Sequence, residues 1–296
     1  MNNGILLALL AYATYSWSDA AIKALGSDLS IFEIGFFLAL ISGACIVLTT
    51  PRDEHWLDFW RMKRPLAVQA RAISGVVASV LGVIAFTTIP LAEVYALIFL
   101  APLFVTILSI FVLKEQVGPW RWFAVAAGFV GVMLVVQPGF RALEVGHFSA
   151  LAVALLAAIS VILMRSLSGQ ETRTTMLGYL ILYALIVNAA GMAVTGFAVP
   201  TWREAGILMI AGVFSATGNI GLLGATRLAP ANQLAPAHYS QIIWAVILGA
   251  LIFDEQPDKW SILGLAIIAG SGLLTVVRER IRLGFVRWNP FGRNRL

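Results

Sequence analysis

Apolar residues run along this chain in ten long blocks, and short clusters between the blocks hold most of its charge. A helix needs about 20 mostly apolar residues to cross a ~30 Å hydrocarbon core, and each block is close to that length. The pattern predicts helices near 3–25, 30–50, 67–88, 90–113, 119–137, 147–168, 174–197, 203–226, 230–253 and 259–277. Pro90 and Pro230 split two stretches that would otherwise read as single long helices. Proline starts helices readily and disrupts their interior.

The blocks also repeat. Pro90 matches Pro230, Glu115-Gln116 matches Glu255-Gln256, and Trp120 matches Trp260, each 140 positions apart. The first helices align more loosely, with Gly4, Ser18 and Leu25 corresponding to Gly146, Ser160 and Leu167. Two related halves inside a hydrophobic chain are a common plan for carriers. Five helices per half is an odd number, so the second half enters the membrane upside down. The expected fold class is all-α integral membrane, with ten transmembrane helices as two inverted five-helix repeats. Residues 1–140 form the first repeat, 141–280 the second, and 281–296 a basic cytoplasmic tail.

Charge fixes an orientation. The chain is 60% hydrophobic and 12% charged, about half the charged fraction of an ordinary soluble domain. With the N-terminus in the cytoplasm, 16 of the 20 basic residues fall on the inner side and only Lys23, Arg141, Arg203 and Lys259 on the outer. That is the positive-inside distribution of a cytoplasmic (inner) membrane protein with both termini cytoplasmic. The net charge of +5 therefore points to anionic lipid heads and not to nucleic acid. The N-terminus lacks the basic region and cleavage site of a secretory signal and reads as the first retained span. The single cysteine, Cys45, has no intrachain partner, so a disulfide framework is excluded.

With these features the sequence resembles the drug/metabolite transporter superfamily, EamA type. The resemblance rests on Leu113-Lys114-Glu115-Gln116 and Phe253-Asp254-Glu255-Gln256, together with Ile89-Pro90-Leu91-Ala92 and Ala229-Pro230-Ala231-Asn232. It covers residues 4–277, and within the superfamily the chain is most similar to bacterial aromatic amino acid exporters. The resemblance implies metabolite or drug transport through a central cavity lined by helices one, three, four, six, eight and nine.

Polar residues inside the membrane are costly and are therefore the candidates for function. In the first helix Tyr12, Tyr15 and Asp19 share one face, with Trp17 in the same stretch. Asp19 has two readings: a structural pair with Lys23 at i+4, or a substrate or coupling carboxylate. The ninth helix holds His238, Tyr239, Gln241 and Trp244 just after Pro236, which frees a carbonyl near Asn232. Pro102 stands at a comparable place in the fourth helix. Ser79, Tyr95 and Asn219 complete the candidate substrate-binding set, while Asn188 reads as an interhelical packing residue. Glu93 reads as a solvated helix-start carboxylate, and Glu115 and Glu255 as structural hinge residues. The glycines 212, 218, 221 and 224 fit close packing or flexing of the eighth helix. Trp56, Trp60, Trp120, Trp122, Trp202, Trp260 and Trp288 read as interface anchors.

Several classes fall away. The sequence has no phosphate-binding loop for ATP and no zinc spacing among His55, His147 and His238. It has no nucleophile elbow and no mid-membrane Lys or Arg to clamp a phosphate. No enzyme activity, catalytic residue, cofactor or metal is expected. The partners are a small-molecule substrate and the lipid bilayer. Two functions remain: export of amino acids (aromatic favoured) and related small metabolites by alternating access, or multidrug/cationic metabolite export with Asp19 as the proton and cation site.

Overall fold

The computed structural model describes residues 3–26, 28–49, 59–101, 103–105, 107–108, 119–137, 142–167, 171–228 and 237–287. Several residues named above lie outside these: Pro102, Glu115, Gln116, Arg141, Pro230, Asn232, Pro236, His55, Trp56 and Trp288. Ten helices and no strands appear among the described residues. They are α1 (Asn3–Leu25), α2 (Ile31–Leu48), α3 (Pro65–Thr88), α4 (Leu91–Ile98), α5 (Pro119–Val136), α6 (Val145–Leu167), α7 (Arg173–Thr195), α8 (Trp202–Leu228), α9 (Ser240–Phe253) and α10 (Lys259–Arg287). Five of them contain stretches long and apolar enough to cross a bilayer: Asn3–Leu25, Ile31–Leu48, Pro65–Thr88, Thr174–Thr195 and Trp202–Leu222. Shorter apolar stretches include Trp122–Val136, Val145–Ser160, Ser240–Phe253 and Lys259–Leu274. Large apolar side chains such as Leu10, Ile73, Val130, Ile186 and Ile243 are more than 40% exposed on the outside of the bundle. Water would not tolerate so many, whereas lipid does.

The helix ends follow local chemistry. Pro65 and Pro119 stand at the first position of α3 and α5, where a missing N–H costs nothing. Ile89, just before Pro90, is extended at φ −128° and ψ 164° and ends α3. At α2, Ser30 Oγ accepts from Glu33 N, and Glu33 Oε2 accepts from Ser30 N, a reciprocal capping box. The fourth helix departs from the single span expected over 90–113. Helical backbone stops at Ile98, turns at Phe99 and Leu100, and resumes at 101. Proline at 102 has no N–H to offer the carbonyl of Ile98. The tenth helix runs on to Arg287 rather than ending at 277.

The two halves interleave instead of sitting side by side. The most extensive contacts join α1 to α8, α3 to α6 and α5 to α10. Exchanging each helix for its counterpart five places on turns α1·α8 into α6·α3 and α4·α6 into α9·α1, and leaves α5·α10, α2·α7 and α4·α9 unchanged. A twofold relation between the halves produces that pattern. Hydrogen bonds support the first two pairings: Ser18 Oγ donates to Ala211 O at 2.8 Å, and Ser74 and Ser160 hydroxyls meet at 3.3 Å. Small residues bring the helices close. A methyl group added at Gly218 would meet the Tyr15 ring at 2.8 Å, and one at Gly221 would meet Ala11 at 3.2 Å. The α8 glycines therefore serve packing.

The α5·α10 contact brings backbone against backbone. A methyl group at Gly131 would approach Gly264 O at 2.7 Å, whereas one at Gly270 meets nothing within 4 Å. Gly131→Leu is expected to destabilise the detergent-purified protein by roughly 1–3 kcal/mol, read as a lowered thermal-unfolding midpoint, while Gly270→Leu leaves that midpoint near wild type. Equal midpoints for the two variants would contradict this packing.

Candidate functional site

A polar and aromatic cluster forms where α1, α4 and α9 meet. Tyr12, Ser16 and Asp19 are on the inward face of α1, with Tyr15 packed on Gly218 of α8. Tyr95 is on α4 and is 3% exposed. Its hydroxyl donates to Asp19 Oδ2 at 2.5 Å, a charge-assisted bond when the carboxylate is ionised. Ser16 Oγ and Gln241 Nε2 each lie 3.4 Å from the same hydroxyl, at the long end of hydrogen-bonding range. Gln241 is buried on α9, so one phenol joins three helices.

Rings line the rest. Tyr12 stacks on His238 with centroids 4.8 Å apart, and His238 lies 4.8 Å from Phe99. Phe99 stacks on Tyr239 at 5.0 Å and 20°, and Phe86 meets the edge of Tyr95 at 5.8 Å. Phe99 and Tyr239 are 140 positions apart, the spacing that relates Pro90 to Pro230, and the backbone turns at both. The stack therefore joins equivalent points of the two halves. Asp19 and Tyr12 have no polar counterpart: 142 positions on stand Val161 and Ala154. The fold is repeated, but the halves give the cluster unlike polar groups: Asp19, Ser16 and Tyr95 come from the first, His238 and Gln241 from the second.

The structure brings together Tyr12, Tyr15, Asp19, Tyr95, His238, Tyr239 and Gln241, and it separates four other candidates from them. Trp17 is 41% exposed on the outer surface of α1. Asn219 is exposed and donates to Ser215 O of its own helix at 2.9 Å. Ser79 is half-buried on α3 and makes no hydrogen bond among the described residues, and Trp244 packs against the main apolar core. Asn188 is buried and packs on Gly35 of α2, while its amide donates to Ala184 O within its own helix.

Two charge readings need correction. Asp19 does not pair with Lys23, because Lys23 reaches instead to Glu255 Oε1 at 2.8 Å. Glu93 is not solvated: it is 7% exposed and lies 2.8 Å from His147 Nε2 on α6. Glu144 N donates to His147 Nδ1 at 3.0 Å, which leaves the proton on Nε2 to face Glu93. Phe86, Phe99 and Ser16 are the cluster members that the candidate set omitted; of these, Phe99 carried a signal, its 140-residue offset from Tyr239.

Further ties cross between the halves at the same end of the bundle. Ala198 N donates to Glu33 Oε1 at 2.6 Å, and Gln137 Nε2 to Asp258 at 2.9 Å. A crevice lies beside them, lined by residues that include Pro90, Glu93, Gly249, Glu255 and Ser261. It is distinct from the aromatic cluster.

An all-helical, strongly apolar bundle of two interleaved repeats, with a few polar groups gathered between them, defines a multi-pass membrane transporter. The chain belongs to the EamA-like transporter family, whose model matches residues 2–137 and again residues 144–277. It is 30% identical over 216 residues to a riboflavin transporter of Rhizobium johnstonii, covering 72% of this chain and 71% of that one. It is 26% identical to an S-adenosylmethionine uptake transporter of Rickettsia prowazekii, covering 94% of each. It is 28% identical to the pseudopaline exporter CntI of Pseudomonas aeruginosa, covering 90% of this chain and 94% of that one. These relatives are named for small metabolites other than aromatic amino acids, and their names include both uptake and export. A solved crystal structure superposes with a TM-score of 0.68 over 94% of this chain and 99% of the other, at 18% identity. At that identity the likeness is one of fold.

The Glu93–His147 contact gives a direct test of how the halves are joined. His147→Leu removes a buried donor and is expected to cost about 1–3 kcal/mol of stability, measured by thermal unfolding in detergent. Glu93→Gln keeps an acceptor for the ring and should cost less. The reverse order would contradict the assignment.

Proposed function

We propose that this chain carries small organic cations bearing a flat ring across the cytoplasmic membrane, by alternating access between its two halves. The observation that carries the reading is Asp19: a half-buried carboxylate inside the bundle whose hydrogen-bond partner among the described residues is one phenol, Tyr95. Rings surround it. A cation over an aromatic face gains about 0.5–2 kcal/mol, and a hydrogen bond to a charged group about 1.5–3 kcal/mol. The substrate ring is held among Tyr12, Phe99, His238 and Tyr239, and its positive end on Asp19, displacing or sharing the Tyr95 hydroxyl. Gln241 and Ser16 supply neutral donors and acceptors for uncharged polar groups.

In this reading residues 1–140 and 141–280 are the bodies that tilt, and 281–296 is a basic tail against cytoplasmic lipid. Both termini are cytoplasmic. Direction of net movement is set by the gradients across the membrane and not by the binding cluster, so one site serves export and uptake alike. Support from relatives is of the same kind: riboflavin and S-adenosylmethionine both contain a flat heteroaromatic ring, and the latter a sulfonium charge.

Export of aromatic amino acids is the second reading. An α-ammonium group suits Asp19 and the rings suit an aromatic side chain. The α-carboxylate, however, needs a cation, and the nearest lysine on α1, Lys23, is committed to Glu255. Among the described residues the cluster then has no lysine or arginine for the carboxylate, which favours cations without one.

Asp19→Asn is expected to weaken binding of a ring-bearing monocation at least about tenfold, consistent with the loss of one charge-assisted bond. Tyr95→Phe should weaken it by a few-fold. Titration of purified protein with the N-methylnicotinamide cation reads both effects. Unchanged affinity in Asp19→Asn, with the protein folded, would remove the cation reading.

A further inference from the structure

We infer that Lys23 and Glu255 form an ionic latch that closes one mouth of the bundle and must open in each transport cycle. The inference rests on reading the chain as an alternating-access carrier. It concerns a group of side chains separate from the binding cluster.

The local geometry gathers both halves on one carboxylate. Lys23 stands in the last turn of α1. Its ammonium group donates to Glu255 Oε1 at 2.8 Å and to Ile89 O at 2.7 Å, and faces Phe86 O at 3.5 Å. An ammonium has three protons, and each has an acceptor here. The Phe253 ring lies 5.4 Å from Nζ, within cation–π range. The other oxygen, Glu255 Oε2, accepts from Leu91 N at 3.0 Å. That N–H belongs to the first turn of α4, which has no intrahelical acceptor for it. Glu255 thus holds the end of α1 and the start of α4, and Lys23 in turn ties the end of α3.

The backbone aims Glu255 at this point. Helix α9 ends at Asp254 in the left-handed region, φ 55° and ψ 28°, and Glu255 N donates back to Gly249 O at 2.9 Å. Gly249 leaves room for the carboxylate, since a methyl group there would stand 3.2 Å from Oε2. The charges also recur in the other half of the sequence: Arg165 follows Lys23 by 142 positions and Glu115 precedes Glu255 by 140. The two charge types are therefore a property of the repeat.

A latch suits this pair better than a permanent strut. The side chains are 12% and 20% exposed. Taking two charges out of water costs nearly what their attraction returns, so a well-packed apolar contact would hold at least as firmly. When the mouth opens, water solvates both ions and offsets the lost contact. The closed and open forms can then be close in free energy, as a two-state element requires. Other ties between halves at this end among the described residues include Glu93–His147, Glu33–Ala198 and Gln137–Asp258. None of them uses Lys23 or Glu255, although Glu93 stands on α4, whose first N–H Glu255 also holds.

The test has two arms on the full chain. In the first, Cys45→Ser removes the native thiol and Ala92→Cys places a reporter at a position that is 8% exposed and lines the crevice beside Glu255. A membrane-impermeant thiol reagent is applied separately to right-side-out and inside-out vesicles. Adding Lys23→Met or Glu255→Gln is expected to speed labelling from the outer side by about tenfold or more, the population shift that loss of one partner of a buried pair allows. Unchanged labelling in both variants overturns the latch. In the second arm, Lys23→Cys/Glu255→Cys is oxidised in proteoliposomes. Cross-linking should stop exchange of labelled N-methylnicotinamide cation, and reduction should restore it. Full exchange through the cross-linked protein also overturns the latch. The labelling arm needs no substrate, so failure of the cation reading leaves it able to decide.

Discussion

A polar side chain inside a hydrocarbon layer must find a partner in the protein, because lipid offers none. That demand organises the interior of this bundle. Ser18 bonds to the α8 backbone, Ser74 to Ser160, and Asp19 to Tyr95. Each bond joins different helices, and the α1·α8 bond sits where glycines let the helices approach. Membrane helices gain no hydrophobic energy from one another, so close packing and these few bonds define the geometry. The site then follows from the packing: α1, α4 and α9 converge, and their polar residues meet.

The inverted repeat supplies the framework, and departures from it supply the chemistry. Phe99 and Tyr239 occupy equivalent positions and stack on each other. Around that symmetric pair the side chains are unlike. Asp19, Tyr12 and Ser16 come from the first half, where the second has Val161, Ala154 and Ala158. A symmetric scaffold allows two related arrangements of the halves, and in the proposed function the asymmetric cluster would give the substrate one orientation within it. Charged pairs at the end of the bundle add a third layer: buried enough to be specific, and close enough to solvent to be exchanged for water.

Much of the architecture was legible because hydropathy and proline act locally. The ten helices and the break at Pro90 follow from residues near one another in sequence. The face shared by Tyr12, Tyr15 and Asp19 was equally local, set by helical periodicity. What could not be read was which partner each polar group takes. Lys23 lies one turn from Asp19, yet Ile89 O and Glu255 compete for it and prevail. Glu93 has the placement of a solvated cap, but α6 brings His147 to it from 54 positions away. Trp17 and Asn219 are polar or aromatic in mid-helix and nevertheless face outward. Rotation of a helix about its axis is decided by the neighbours it packs on, and a nearly uniformly apolar helix carries little record of that angle.

In the proposed function this chain alone moves ring-bearing cations through the cluster around Asp19. It is tested most directly by counterflow in proteoliposomes containing only this protein, with labelled N-methylnicotinamide cation outside and unlabelled competitor inside. The account predicts saturable accumulation of label driven by the same cation. Its uncharged isostere, meta-methylbenzamide, should drive none. Absence of counterflow with active, correctly inserted protein, or equal counterflow with the uncharged ring, would contradict it.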